Sequence, residues 1–242
     1  MVKTIVVGDL HCGSKFGISS EPKNNIQKVL KSEWDNITGK YDVGILLGDA
    51  CEGRDRHGSG EYNTTNNITE QIADAATLLN QLKVKKWYAV QGSPYHTDQN
   101  VSSDRLVADK IGANFGEELV VNVDGTRIHC SHAVGVSMSA TAYRPTPIAR
   151  EMMLNAINVA EYGKFDIILR GHAHYFCMVR FGGSAGVICP CWKGRDAFAA
   201  RRTLAMLPHC GHIEILVDKD HFDIIPHVFS LKGDDIIKEY KA

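Results

Sequence analysis

The sequence predicts an α/β fold of two packed mixed β-sheets flanked by helices. Three observations carry that expectation. Four apolar runs of strand length each deliver metal-type ligands at their C-terminal ends. Segments with apolar residues at helical spacing lie between strand-like runs. The C-terminal third is rich in further strand-like runs, and this order of elements fits two sheets with helices outside them.

Taken in order, the first strand spans Lys3 to Val7 and ends in Asp9-Leu10-His11. Pro22 is suited to open a helix whose apolar residues Ile26, Val29, Leu30, Trp34 and Ile37 share one face. Asp42 to Leu47 forms a second strand ending in Gly48-Asp49. Residues 51–65 are Gly-rich and polar and follow a ligand directly, which makes Arg54, Arg56 and His57 candidates for substrate contact. Asn67 to Glu70 reads as a capping box before a stripe of Ile68, Ile72, Ala75, Leu79 and Leu82. The third strand, Lys86 to Gln91, runs into Gly92-Ser93-Pro94-Tyr95-His96. A short helix follows around Asp104 to Ile111. Leu119 to Val123 and Thr126 to Ser131 then form a hairpin about Asp124-Gly125 and lead to His132. Thr146 can cap a helix with Pro147 in its first turn, running to about Glu161. Phe165 to Leu169 is a buried strand ending at Gly171-His172-Ala173-His174. Tyr175 to Phe181, Ala185 to Cys189, and a hairpin of Gly211 to Val217 with His221 to Phe229 complete the chain. In that hairpin His221, Asp223 and His227 alternate with apolar residues, so they are expected to face solvent.

The chain has 242 residues, 44% of them hydrophobic and 23% charged, which suits a soluble globular protein. There is no internal repeat and no linker-like stretch, so residues 1–242 are read as a single domain. Lys and Arg number 27 against 28 Asp and Glu, which argues against a general nucleic-acid coat protein but leaves room for a local basic groove. The odd count of seven scattered cysteines reads as reduced thiols. A zinc knuckle from Cys177, Cys189, Cys191 and Cys210 is outweighed by the simpler reading of small buried residues. Met1 to Thr4 runs straight into a core strand and no apolar run has the length of a membrane span. The expectation is a cytoplasmic protein with no membrane partner.

The ligand set mixes two carboxylates with several imidazoles and contains no thiolate. That suits borderline cations such as Mn²⁺, Fe²⁺, Co²⁺ or Zn²⁺, with Ni²⁺ also compatible, and is too nitrogen-rich for a dedicated Mg²⁺ site. Two such ions about 3.5–4 Å apart clamp the oxygens of an in-line displacement at phosphorus. Sharing them needs a carboxylate, because an imidazole cannot bridge.

These residues, from position 4 to about 174, resemble the calcineurin-like metallophosphoesterase superfamily, whose blocks run D-x-H, G-D, G-N-H, a lone His and G-H-x-H. Asp9-Leu10-His11, Gly48-Asp49, His132 and Gly171-His172-Ala173-His174 match in order. The resemblance implies a metallophosphoesterase-type β-sandwich. It implies that Asp49 bridges two metals, that Asp9, His11 and His174 hold one, and that His132 and His172 hold the other. The third block departs from the pattern. Ser93 stands where the family has its Asn ligand, and the one His of the block lies four residues after Gly92. Ser93 is then a weak ligand, or water fills that place, or His96 moves onto the metal. Pro94 stiffens the turn and can carry His96 back to the position of the family's general acid, so His96 is expected to protonate the leaving oxygen.

The function expected is binuclear hydrolysis of a phosphodiester or phosphomonoester by a metal-bridged hydroxide, Mn²⁺ being the favoured ion. Arg54, Arg144, Lys193 and Arg195 are candidate phosphate contacts, joined by Arg201 and Arg202, and Trp192 is a candidate for stacking on a base. These contacts lean the substrate towards a nucleotide or nucleic acid. The alternatives are a protein or small-molecule phosphomonoesterase, and a binding scaffold with a partly degraded metal site.

Overall fold

The computed structural model describes residues 1–54, 61–96, 102–134, 143–196, 207–219 and 221–231. Arg56, His57, Arg201 and Arg202 lie outside them.

Strand β1 (Val2–Val7) has parallel β2 (Lys40–Leu46) on one side and antiparallel β10 (Cys210–Asp218) on the other. Beyond β2 lie β3 (Lys83–Val90) and a short β4 (Asn114–Gly116), both parallel; beyond β10 lies antiparallel β11 (His221–Phe229). The order is β11-β10-β1-β2-β3-β4. A second sheet has the order β5-β6-β7-β9-β8, built from β5 (Glu118–Val123), β6 (Thr126–Ser131), β7 (Ile167–Arg170), β8 (Cys177–Phe181) and β9 (Ser184–Ile188). Both sheets mix parallel and antiparallel neighbours, as the sequence predicts.

The alternation along β1 shows why its run is apolar without interruption. Val6 faces the core between the sheets, with Ile45, Leu47, Ile128, Leu169, Val187 and Ile213. Ile5 and Val7 face the other way, into a core closed by helices. A strand buried on both faces cannot alternate with polar residues. The helices on that outer face are α1 (Asn25–Asp35), α2 (Ile68–Gln81) and α3 (Ser103–Ile111). Helix α4 (Thr146–Ile157) covers the outer face of the second sheet through Ile148 and Met152.

Several boundaries differ from the sequence reading for local reasons. Helix α1 begins after Asn24, whose side chain accepts from the Gln27 amide, and not at Pro22. Thr146 lies inside α4; Pro145 occupies the cap with no side-chain bond. The helix expected to reach Glu161 breaks at Asn158, and a four-residue α5 (Val159–Tyr162) follows. In the capping box, Glu70 takes the Asn67 side-chain amide at 3.0 Å, not its backbone. Trp192 is 1% exposed and packs edge-on against Trp34, so it is core and has no face for a base. The seven cysteines are free thiols, six of them buried.

Candidate metal centre

The site forms where β1, β2, β3, β6 and β7 all end on one side of the two sheets, the edge at which ligands collect in α/β folds. Backbone bonds continue the ladder past the strands. The amides of Asp9 and His11 donate to the carbonyls of Gly48 and Asp49, both at 3.0 Å, so the first two ligand blocks are held side by side. Gly171 N–H donates to His132 O at 3.0 Å and ties the other two. The two sheets are stitched together at the ligands. His132 Nδ1 bonds Leu47 O at 2.6 Å, and His172 N–H donates to Asp9 Oδ2 at 3.1 Å.

Asp9, His11, Asp49, His172 and His174 all have positive φ, between 49° and 68°. Among the described residues only Asp124 and Lys219, both at hairpin turns, share that conformation without being glycine. Left-handed backbone is uncommon for such residues and persists where surrounding structure imposes it, often at functional sites.

Two donor groups result. Asp9, His11 and His174 form one; Asp49, His132 and His172 form the other. In each, the donor atoms lie within 4.8 Å of one another. His11 Nε2 and His174 Nε2 face each other at 3.1 Å, and Asp9 Oδ1 is 3.2 Å from the latter. His132 Nε2 is buried 3.0 Å from Asp49 Oδ2 yet makes no aligned hydrogen bond. Since a carbonyl can only accept, the Leu47 contact puts a proton on His132 Nδ1, leaving Nε2 as the nitrogen that faces the site. His11 is set the same way: its Nδ1 bonds Glu52 Oε2 at 2.7 Å. Metal-binding imidazoles are commonly held by such a carboxylate or carbonyl on the second nitrogen.

The charge balance agrees. Burial by itself would lower the pKa of His132, but Asp49 and Asp9 raise it to about 10. Burial and Lys193 oppose the charge on His11, yet Glu52 and Asp9 raise it to about 8. Burial also opposes ionised Asp49, and the neighbouring imidazoles still hold it down at about 2. A pocket that draws protons onto buried imidazoles is one that cations fit, with release of those protons.

Three positioning groups were not legible in the sequence. Glu52 holds His11 and is itself gripped by Lys193 Nζ, 3.0 Å from both of its oxygens. Asp104, at the start of α3, accepts from the amides of Ala50 and Gly92, both at 2.9 Å, and so joins the loops after β2 and β3. The His209 amide donates to His174 O at 3.0 Å, and its Nδ1 accepts from Phe176 N–H. The nearest to a sequence signal is the place of Glu52, three residues after Asp49.

The deviant third block lands inside the site. Pro94 to His96 form one 3₁₀ turn, and His96 N–H donates back to Ser93 O at 3.2 Å. The turn lays the His96 ring edge-on to His11, with centroids 4.6 Å apart. His96 Nδ1 bonds Glu52 O at 2.5 Å, and Nε2 stands 3.9 Å from Asp49 Oδ2. Ser93 lies on the Asp49 carboxylate, its amide donating to Oδ1 at 2.7 Å and its hydroxyl to Oδ2 at 3.1 Å. The expected phosphate contacts fare differently. Lys193 is 4% exposed, with its ammonium on Glu52 and Asp196, so it supports His11 and does not reach out to substrate. Arg195 is buried as well, Arg54 is exposed, and Arg144 lies over the Tyr175 ring, next to His174.

Gly92 fixes how closely the loops after β2 and β3 approach. A Cβ there would sit 2.2 Å from Asp49 Oδ1 and 2.3 Å from Asp49 N. Gly92→Ala is therefore expected to destabilise the fold by about 1–3 kcal/mol, as overpacking does, and to displace Asp49. Thermal unfolding measures the first effect, and an unchanged midpoint would show that the loops can separate without strain.

No protein-family model and no curated protein matches this sequence. Solved structures do match. Wild-type Vps29 from Entamoeba histolytica, complexed with Zn²⁺, aligns over 94% of this chain and 98% of its own at 14% identity, with a TM-score of 0.50. A structure described as a novel archaeal phosphodiesterase aligns over 93% of this chain and 99% of its own at 12% identity, also with a TM-score of 0.50. The chain therefore has the calcineurin-like metallophosphoesterase fold.

Proposed function

We propose that this protein is a binuclear metal-dependent phosphoesterase, with residues 1–242 acting as one metallophosphoesterase domain. The observation that carries the reading is the pair of adjacent donor groups, Asp9/His11/His174 and Asp49/His132/His172, at one sheet edge. The likeness to an archaeal phosphodiesterase and to a Zn²⁺ complex of Vps29 supports it.

In this reading each donor group would hold one divalent ion, and Asp49 would be the carboxylate common to both. Two such ions supply a water ionised near neutral pH and neutralise the phosphate oxygens as charge builds. The chain's own groups do the rest. Glu52 and the Leu47 carbonyl keep His11 and His132 in the tautomers that present Nε2. Asp104 fixes the loop that carries Asp49. His96, with its Nδ1 proton committed to Glu52 O, presents Nε2 to the site and delivers a proton from it to the leaving oxygen. Arg144 and Arg54 remain candidate substrate contacts. With Trp192 and Lys193 turned inward, the lean towards nucleotides or nucleic acid rests on these two arginines.

The deciding experiment pairs metal analysis of protein purified without chelators with turnover of bis(p-nitrophenyl) phosphate and p-nitrophenyl phosphate. Two ions per chain and hydrolysis of the diester are expected. Ions bound without turnover of either ester would instead favour a binding scaffold, a reading kept open by the likeness to Vps29. After chelation, Mn²⁺ is expected to restore more activity than Mg²⁺, because four imidazoles favour the softer ion. Full reactivation by Mg²⁺ alone would contradict the ligand set.

A further inference from the structure

We propose a second, separate transition-metal site on the β10–β11 hairpin, formed by His212, His227 and Glu214. These residues carry a ligand set of their own, unconnected with the ligands at the strand ends. His212 and Glu214 are two residues apart on β10 and so project from one face, and His227 stands directly opposite His212 on β11. One donor atom from each lies within 4.8 Å of the others. The face is the outer one, away from the core between the sheets, where Ile213 and Ile215 point.

Three features suit this cluster to a cation. The His212 and His227 rings stack with centroids 4.5 Å apart and planes 8° apart, which brings the two imidazoles together across the strand pair. Both line a cavity of about 280 Å³ whose other wall is the C-terminal end of α1, with Glu33 and Asn36 among its lining residues. Glu214 is divided between two tasks. Its Oε1 accepts from Tyr41 OH at 2.6 Å and from Lys3 Nζ at 3.1 Å, while Oε2 lies 3.8 Å from His227 Nε2. Tyr41 and Lys3 thus hold the carboxylate in place and leave one oxygen for a ligand. Burial also favours the neutral form of His212, the state in which an imidazole binds metal. The charge that opposes a cation here is Lys3, which Glu214 offsets.

Two imidazoles and one carboxylate with an open side match a tetrahedral Zn²⁺ site that keeps one position for water or another ligand. The sequence reading placed His227 in solvent because β11 alternates. It could not see His212 and Glu214 across the strand pair. The donor atoms lie within 4.8 Å of one another and must draw together to close on one ion; His227, whose side chain is 45% exposed, is the least buried of the three.

The test is Zn²⁺ stoichiometry by equilibrium dialysis and elemental analysis, on the wild type, His227→Ala and Glu214→Gln. Both substitutions should lower bound Zn²⁺ by one ion per chain, or weaken the corresponding affinity by more than about the 10–100-fold typical of losing an outer partner. Glu214→Gln keeps an acceptor for Tyr41, and His227 is exposed, so both variants should fold. The loss should recur in an Asp49→Asn background, which separates it from the ligands at the strand ends. Phosphoester turnover should be unchanged in His227→Ala. Equal Zn²⁺ counts and affinities in all three proteins would overturn the proposal, whether or not the protein proves to be a phosphoesterase.

Discussion

Asp49→Asn is expected to remove metal binding and turnover together while leaving the fold in place. Asp49 Oδ1 accepts from the Ser93 amide, and Oδ2 faces both the Ser93 hydroxyl and His132 Nε2. An asparagine can keep its oxygen on the Ser93 amide. Its NH₂ group then meets His132 Nε2 and a hydroxyl able to rotate and accept, so no buried donor is stranded. What is lost is the charge, held ionised with its pKa at about 2. Outer partners of metal ligands typically cost about 10–100-fold in affinity or activity when removed, and a carboxylate shared by two ions should cost more. Metal analysis, turnover and thermal unfolding on the same preparation check this. Two ions retained with near-normal turnover would rule out the shared role.

His96→Ala should split substrates by their leaving group. The ring is pinned through Nδ1 to Glu52 O, and Nε2 faces the space beside Asp49. Burial and the charge on His11 hold its pKa below the usual imidazole value, against the opposing pull of Asp49 and Glu52. The incoming phosphate adds negative charge on the same side and favours the imidazolium. Loss of a general acid typically costs about 10²–10⁴-fold, and the cost falls on esters whose leaving oxygen is basic. An alkyl ester should lose most of its rate, and a nitrophenyl ester much less. His96 also shares a donor cluster with His11 and Glu52. If both esters fall equally and an ion is lost, His96 is a ligand. If neither falls, it has no part in the chemistry.

The strand-end positions of these Asp and His residues were legible because two local signals coincide at them. Apolar runs such as Thr4–Val7 and Ile45–Leu47 must be strands buried on both faces, and polar residues directly after them must lie at a sheet edge. The turn at Pro94 was legible for the same kind of reason, since proline restricts its own φ and the residue before it. Long-range pairing left no such mark. Lys193 and Glu52 meet across 141 positions, and His132 reaches Leu47 across 85. Nothing near Lys193 in the chain distinguishes a cation buried on a carboxylate from one that faces a phosphate, and nothing near Trp192 distinguishes a core indole from a stacking platform.

The sequence by itself determined which residues lie at the strand ends, because hydrophobic periodicity and glycine or proline conformation act within a few residues. It thereby determined the two-sheet architecture and the chemistry of the donor set. Only the tertiary structure decided the tautomers of His11 and His132, the inward turn of Lys193 and Trp192, the left-handed backbone of five strand-end Asp and His residues, and the meeting of His212 with His227 across two strands. Those features depend on which groups share a buried space, and burial is settled by the packing of both sheets and their helices together.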